Sequence, residues 1–345
     1  MINNLFPPAL ATLVVLTACA PARVAGPGPV PDPPVAEVES VAAGPVEQDS
    51  SAPDDDIESR LVVMARTARG PESPFLPIKP FGVSWSPSPE EGSAFGIVIH
   101  QRPTGRVPIA IEGEFAAGVV RFGLIRGQWF GIAAVPIGFS GPHALTLRMR
   151  FEDGANYEQK IDISVTPTSF ASTNLSVDSR FSSPPADVLE RIESEREMVR
   201  DLLETVTSQW GLDGPFQTPR PFDVTSPFGQ ARMFNGELRS RHTGLDLRGQ
   251  TGAPVRSAGR GRVAFAGNLY FAGNAVYVDH GLGVYTGYFH LSRILVRVGD
   301  EVDSGDLVGE VGATGRVTAA HLHWYLSVSG QSLDAGSLLG VHLPE

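Results

Sequence analysis

Apolar and polar residues alternate along this chain in two β-like regions separated by one stretch of helical period. In "HALTLRMRF", Leu145, Leu147, Met149 and Phe151 alternate with Thr146, Arg148 and Arg150, the two-residue period of a strand with one buried face. Similar runs fill residues 75–168 ("FGIVIH", "VPIAIEGEF", "VVRFGLI", "WFGIAAVPI", "EQKIDISVTP"), punctuated by the turn signals "PTG", "IRGQ", "FSGP" and "EDGAN". Short strands at this spacing predict an immunoglobulin-like β-sandwich over 75–168. The period then changes. Val188, Leu189, Ile192, Val199, Leu202, Leu203 and Val206 recur at three- and four-residue steps, with Ser183 as N-cap and Pro184 in the first turn. This predicts a helix over about 184–208, within a connector of 169–219, that buries one apolar stripe against a neighbour. Glycine-rich strand patterns return over 220–345 and predict a second β domain, so the fold class is mainly β.

The amino-terminal segment follows neither period. An apolar run from Ala9 to Leu16 leads into Leu16-Thr17-Ala18-Cys19, which resembles a bacterial lipobox. Residues 1–19 are therefore expected to be a lipoprotein signal peptide with lipid on Cys19, although "MINNLFPPAL" carries no basic residue. Residues 20–74 are rich in proline and acids (Asp54, Asp55 and Asp56 in succession) and predict a disordered tether. The proline-rich stretch from Ala20 to about Ser59, about 40 residues of such coil, would span roughly 35 Å r.m.s.. Ala20 after the lipidated cysteine fits, by bacterial sorting rules, an outer-membrane anchor facing the periplasm. The net charge of -11 argues against nucleic acid as a partner. With one cysteine, neither an intrachain disulfide nor a zinc–thiolate cluster can form.

The candidate chemistry lies in the carboxy-terminal region. In "TAAHLHWYLSV", His321 and His323 share one face of a predicted strand about 6.6 Å apart. "RHTGLDLRG" places Asp246 four residues after His242, with Gly244 arguing against a helix between them. Two imidazoles and a carboxylate form a three-ligand set, and a fourth position left to water is the arrangement of a catalytic zinc site. His290, ending "VYTGYFH", is a further imidazole from across the sheet.

These motifs, with "SPFGQAR" and "VRVGDEVDSGDLVGEVGATGRV", occur in the order and spacing of the lysostaphin/LytM-type zinc metallopeptidases, which the region 220–345 resembles. One departure is an extra residue before Arg232 in "FGQAR". The resemblance implies an antiparallel β-sheet peptidase domain binding one Zn2+ ion through His242, Asp246 and His323. It implies catalytic roles for His321, as proton acceptor and donor, and His290, as stabiliser of the oxyanion, and the two roles are exchangeable. Asn235 and Tyr288 are candidates for groove contact with peptidoglycan stem peptides. The implied activity is hydrolysis of peptidoglycan cross-links, with the D-alanyl–meso-diaminopimelate bond as the expected substrate. The alternative is a peptidoglycan-binding regulator of another hydrolase, but relatives of that kind have lost one or more of these five positions. For the sandwich, a protein partner, contact with glycan and cover of the groove all remain open. A biotinyl- or lipoyl-type carrier hairpin is set aside, because "VRVGDEVDSGDLVGEVG" has no lysine.

Overall fold

The computed structural model describes residues 81–100, 106–116, 118–175, 186–208, 214–234 and 237–345. Cys19, the expected signal peptide and tether, the expected Ser183 cap and Asn235 lie outside the described residues.

Seven strands build the first domain: β1 (Gly82–Ser86), β2 (Ala94–His100), β3 (Pro108–Phe115), β4 (Gly118–Ile125), β5 (Gln128–Ala134), β6 (Gly141–Phe151) and β7 (Asn156–Val165). Their neighbour order is β1-β2-β5-β4-β3-β6-β7. β4 serves both halves: Gly118–Arg121 pair with β3 and Phe122–Ile125 with β5. The inward row of β6, Leu145, Leu147, Met149 and Phe151, is fully buried beside Phe95, Ile97 and Ile99. Each such side chain contributes about 1.5–3 kcal/mol of burial.

The connector carries β8 (Ser172–Leu175) and the helix α1 (Leu189–Glu204), which is preceded by one 3₁₀ turn. The helix is shorter than its period predicts. Thr205 turns to extended backbone (ψ 133°), and its N–H and hydroxyl return to the Asp201 carbonyl, which closes the last turn. Ile192 and Leu203 are buried, whereas Leu189 and Val206, at the two ends of the expected stripe, remain exposed.

The second domain comprises β9 (Val224–Ser226), β10 (Ala231–Phe234), β11 (Glu237–Arg241), β12 (Gly244–Arg248), β13 (Pro254–Arg256), β14 (Gly261–Leu269), β15 (Gly273–Gly281), β16 (Val284–Leu291), β17 (Arg293–Ile294), β18 (Glu301–Val302), β19 (Leu307–Glu310), β20 (His321–Val328) and β21 (Gln331–Leu333). Its main sheet runs β18-β14-β15-β16-β20-β12-β9, with β21 paired to β20.

Register gives this sheet two distinct faces. Leu245, Trp324 and Tyr288 form one row across β12, β20 and β16 and enter the main core with Leu247 and Leu322. The adjacent row, Asp246, His323 and Phe289, points the other way. On that side Phe289, Tyr277, Tyr285 and Tyr325 pack with Leu203 of α1. The first domain meets the main core instead: Ala94, Phe130, Ile132 and Ala134 cluster with Leu338 and Val341. Hydrogen bonds from Ala94 N to Ser337 Oγ (2.9 Å), from Asp334 N to Gly92 O (2.8 Å) and from Arg121 Nη1 to Ser329 Oγ (2.8 Å) secure that contact.

Candidate metal centre

The row on β12 and β20 brings three ligand atoms to one point. His242 Nε2 lies 3.1 Å from Asp246 Oδ1 and 3.1 Å from His323 Nδ1, and His323 Nδ1 lies 2.9 Å from Asp246 Oδ1. Asp246 and His323 oppose each other directly in the ladder. His242 precedes β12, and its side chain meets that of Asp246 within the strand. All three side chains are buried.

The surroundings decide which atoms carry protons. His242 Nδ1 is 2.9 Å from the Pro227 carbonyl, which can only accept, so the proton sits on Nδ1 and the Nε2 lone pair faces the carboxylate. Lone pair against lone pair in a buried site is unfavourable, and a bound cation relieves it. The separations approach the ~3.4 Å edge of a tetrahedron of ligands about 2.1 Å from a common centre. This donor set fits zinc. Burial pushes the Asp246 carboxyl up, but the neighbouring His242 and His323 imidazoles outweigh it and hold the group well below the usual carboxylate range. Burial lowers His323, with Asp246 opposing.

His321 shares the face of His323, with Nε2 3.5 Å from Asp246 Oδ1 and Nδ1 2.9 Å from the Ala319 carbonyl. His290 reaches the same place by a break in the strand period. Two residues of β16, Phe289 and His290, oppose the single Ala275 of β15, and His290 has φ 63°. Its ring lies 5.1 Å from that of His321 and 5.8 Å from that of His323, and its Nδ1–H donates to the Thr314 carbonyl at 3.0 Å. Burial, then the neighbouring His323, pushes its pKa down to about 4, so the ring is neutral.

Tyr288 does not line the groove. It is fully buried on the opposite face, where its hydroxyl accepts the Ala258 N–H (2.7 Å) and meets Thr286 Oγ1 (2.9 Å). Thr286 in turn meets His280 Nε2 (2.8 Å). That tyrosine completes a buried polar chain.

Several contributors are not readable as site residues in the sequence. Ser226 Oγ lies 3.3 Å from His242 Nδ1 and donates to Gln230 Oε1, while Gln230 Nε2 donates to Thr173 of β8. The glutamine of "FGQAR" thereby ties the surroundings of His242 to the connector. Phe289 stacks on the His323 ring at 5.3 Å and 10°. Gly244 lies under that ring: a Cβ there would collide with His323 Nε2 and come within 2.7 Å of the Trp324 carbonyl. Gly244→Ala is therefore expected to weaken zinc binding by about 10–100-fold, the scale for disturbing the support of a metal ligand, as read by competition with a chromogenic chelator.

Residues 240–335 match the profile of Peptidase family M23. The peptidoglycan DD-endopeptidase ShyA of Vibrio cholerae is 37% identical over 130 residues, 38% of this chain and 28% of that protein. The DD-carboxypeptidase/endopeptidase Mpg of Neisseria meningitidis is 37% identical over 115 residues, 33% of this chain and 26% of its own length. The match thus spans little more than a quarter of these curated relatives. A crystal structure from Pseudomonas aeruginosa, described as a peptidase M23, covers 74% of this chain and 96% of its own with TM-score 0.54 and 24% identity, a likeness of fold.

Proposed function

We propose that this chain, whose residues 240–335 form a peptidase family M23 domain, is a zinc-dependent endopeptidase that hydrolyses peptide cross-links of peptidoglycan. The observation that carries the reading is the convergence of His242, Asp246 and His323 with two further imidazoles, His321 and His290, beside them. The names of the endopeptidase relatives support the substrate class.

His242, Asp246 and His323 would hold the ion. When bound, zinc supplies a Lewis acid that polarises a carbonyl and lowers the pKa of water. The remaining work falls to the chain's own side chains. His321 and His290 each place Nδ1 on a backbone carbonyl, so that in the neutral ring Nε2 is the acceptor. An Nε2 that takes a proton becomes a donor, able to pass it to a leaving amine or to hold a developing oxyanion. His321, nearest the ligand atoms, is assigned the proton, and His290, at its side, the oxyanion. The D-alanyl–meso-diaminopimelate bond is the proposed target.

We also read the first domain as an immunoglobulin-like sandwich, because the order β1-β2-β5-β4 followed by β3-β6-β7 corresponds to the ABED and CFG sheets of that fold. Export and lipidation at Cys19, with the protein held at the outer membrane, rest on the lipobox sequence.

Incubating residues 60–345 with intact sacculi and analysing the released muropeptides by mass spectrometry tests the enzymatic reading. Cleaved cross-links are expected with the wild type and none with His323→Ala. A zinc-loaded wild-type protein that releases nothing would instead favour the regulator.

A further inference from the structure

Hydrogen bonds, joined by the short turn Tyr270–Gly273, lead from the connector helix to His290. Glu195 of α1 accepts the Tyr270 N–H at 2.7 Å and binds Arg191 at 2.6 Å through its other oxygen. Arg191 also donates to Asn268 Oδ1 (3.1 Å) and lies over the Tyr270 ring. Tyr270 opens the turn between β14 and β15. Within that turn, the Ala272 carbonyl accepts the His290 N–H (2.8 Å) and the Phe271 carbonyl accepts the Arg316 N–H (3.0 Å). Gly273 (φ 64°) packs directly on Thr314, leaving no room for a Cβ, and Asn274 N donates to Thr314 Oγ1 (2.9 Å). The Thr314 carbonyl holds the His290 ring. One turn thus grips His290 twice, directly at its backbone and through Thr314 at its imidazole.

His290 depends on that grip. A left-handed conformation at a non-glycine residue is sparsely populated and persists only where the surroundings over-determine it. Without it the two-residue period would send the ring toward the core with Tyr288. Helix α1 packs on the same face of the sheet as the site, through Leu203 in one cluster with Phe289, the residue before His290. Glu195 binds the backbone of the turn from that helix.

We propose that Glu195 is a positioning residue for His290: by holding the Tyr270 N–H, the connector helix fixes the turn that keeps this imidazole beside His321. The connector is then part of the catalytic apparatus rather than a spacer. The inference rests on the reading of His290 as a member of the catalytic pair, but the hydrogen bond of its ring can be observed without any substrate.

Two substitutions in the full chain separate reach from charge. Glu195→Asp keeps the charge and draws the carboxylate back from Tyr270, whereas Glu195→Gln keeps an acceptor at the same reach. For the aspartate variant, kcat is expected to fall about tenfold with KM changed less than about twofold, the pattern of a displaced catalytic group. Its zinc content should match the wild type, and the His290 Nδ1–H resonance, assigned by its loss in His290→Gln, should broaden or shift upfield. The glutamine variant should retain wild-type values of each. A wild-type His290 resonance in Glu195→Asp overturns the proposal whatever the activity. So does loss of zinc from that variant, or a glutamine variant as impaired as the aspartate. If the wild type releases no muropeptides, the endopeptidase reading fails while the imidazole resonance still decides the role of Glu195.

Discussion

Replacing His323 with alanine is expected to abolish cross-link cleavage and to lower zinc affinity by well over ~100-fold, since even the outer partners of metal ligands are worth about 10–100-fold. Its Nδ1 is the atom nearest Asp246 Oδ1, at 2.9 Å, and also lies 3.1 Å from His242 Nε2. Removing it leaves two protein ligand atoms 3.1 Å apart, and a water in the vacated place is a weaker ligand than the imidazole. The Phe289 ring, stacked on the imidazole, would border a void. Metal content after dialysis against a chelator, read beside muropeptide release, checks both halves. A His323→Ala protein that retains one zinc per chain through dialysis would refute the ligand assignment.

How far the sequence revealed this site depended on whether each contact is local. His321 and His323 are two apart on one strand, and the strand period alone places them on one face. The alternation in β6 was equally plain, because that strand has one face in the core and the other half-buried or exposed. His290 is different. Counting by two from Tyr288 puts both on one face, and a bulge whose register is set by β15 separates them, one into the core and one into the site. Tyr288 was a groove candidate beside the resemblance, and the period gave no reason to separate it from His290, because it cannot show a bulge that depends on a partner strand. The hold on His242 by Pro227 is invisible for another reason: the group involved is a backbone carbonyl, which every residue has. Helix α1 ended early because the carbonyl that captures the Thr205 N–H and hydroxyl belongs to a local cap, while the apolar period runs on to Val206. The glutamine in "FGQAR" looked like an irregular spacing and proves to be a bridge between Ser226 and Thr173.

Replacing His321 with alanine should have the opposite signature to His323: zinc retained and turnover lost. Its ring is not among the three convergent atoms; Nε2 stands 3.5 Å from Asp246 Oδ1, and the ring is more open to solvent than its neighbour. Loss of a positioned acid–base group costs about 10²–10⁴-fold in rate. The loss should appear in kcat with little change in KM, because a proton in flight matters only in the transition state. His290→Ala should give a deficit of similar order. The double variant is expected to be little worse than either single one, since groups that act as a unit do not add. Strict additivity of the two losses would mean that His321 and His290 serve separate steps. An active His321→Ala with normal zinc content would remove it from the mechanism altogether. Two imidazoles two residues apart thus make a sharp test of roles: the same side-chain chemistry beside one shared carboxylate, yet one variant is expected to lose the metal and the other to keep it.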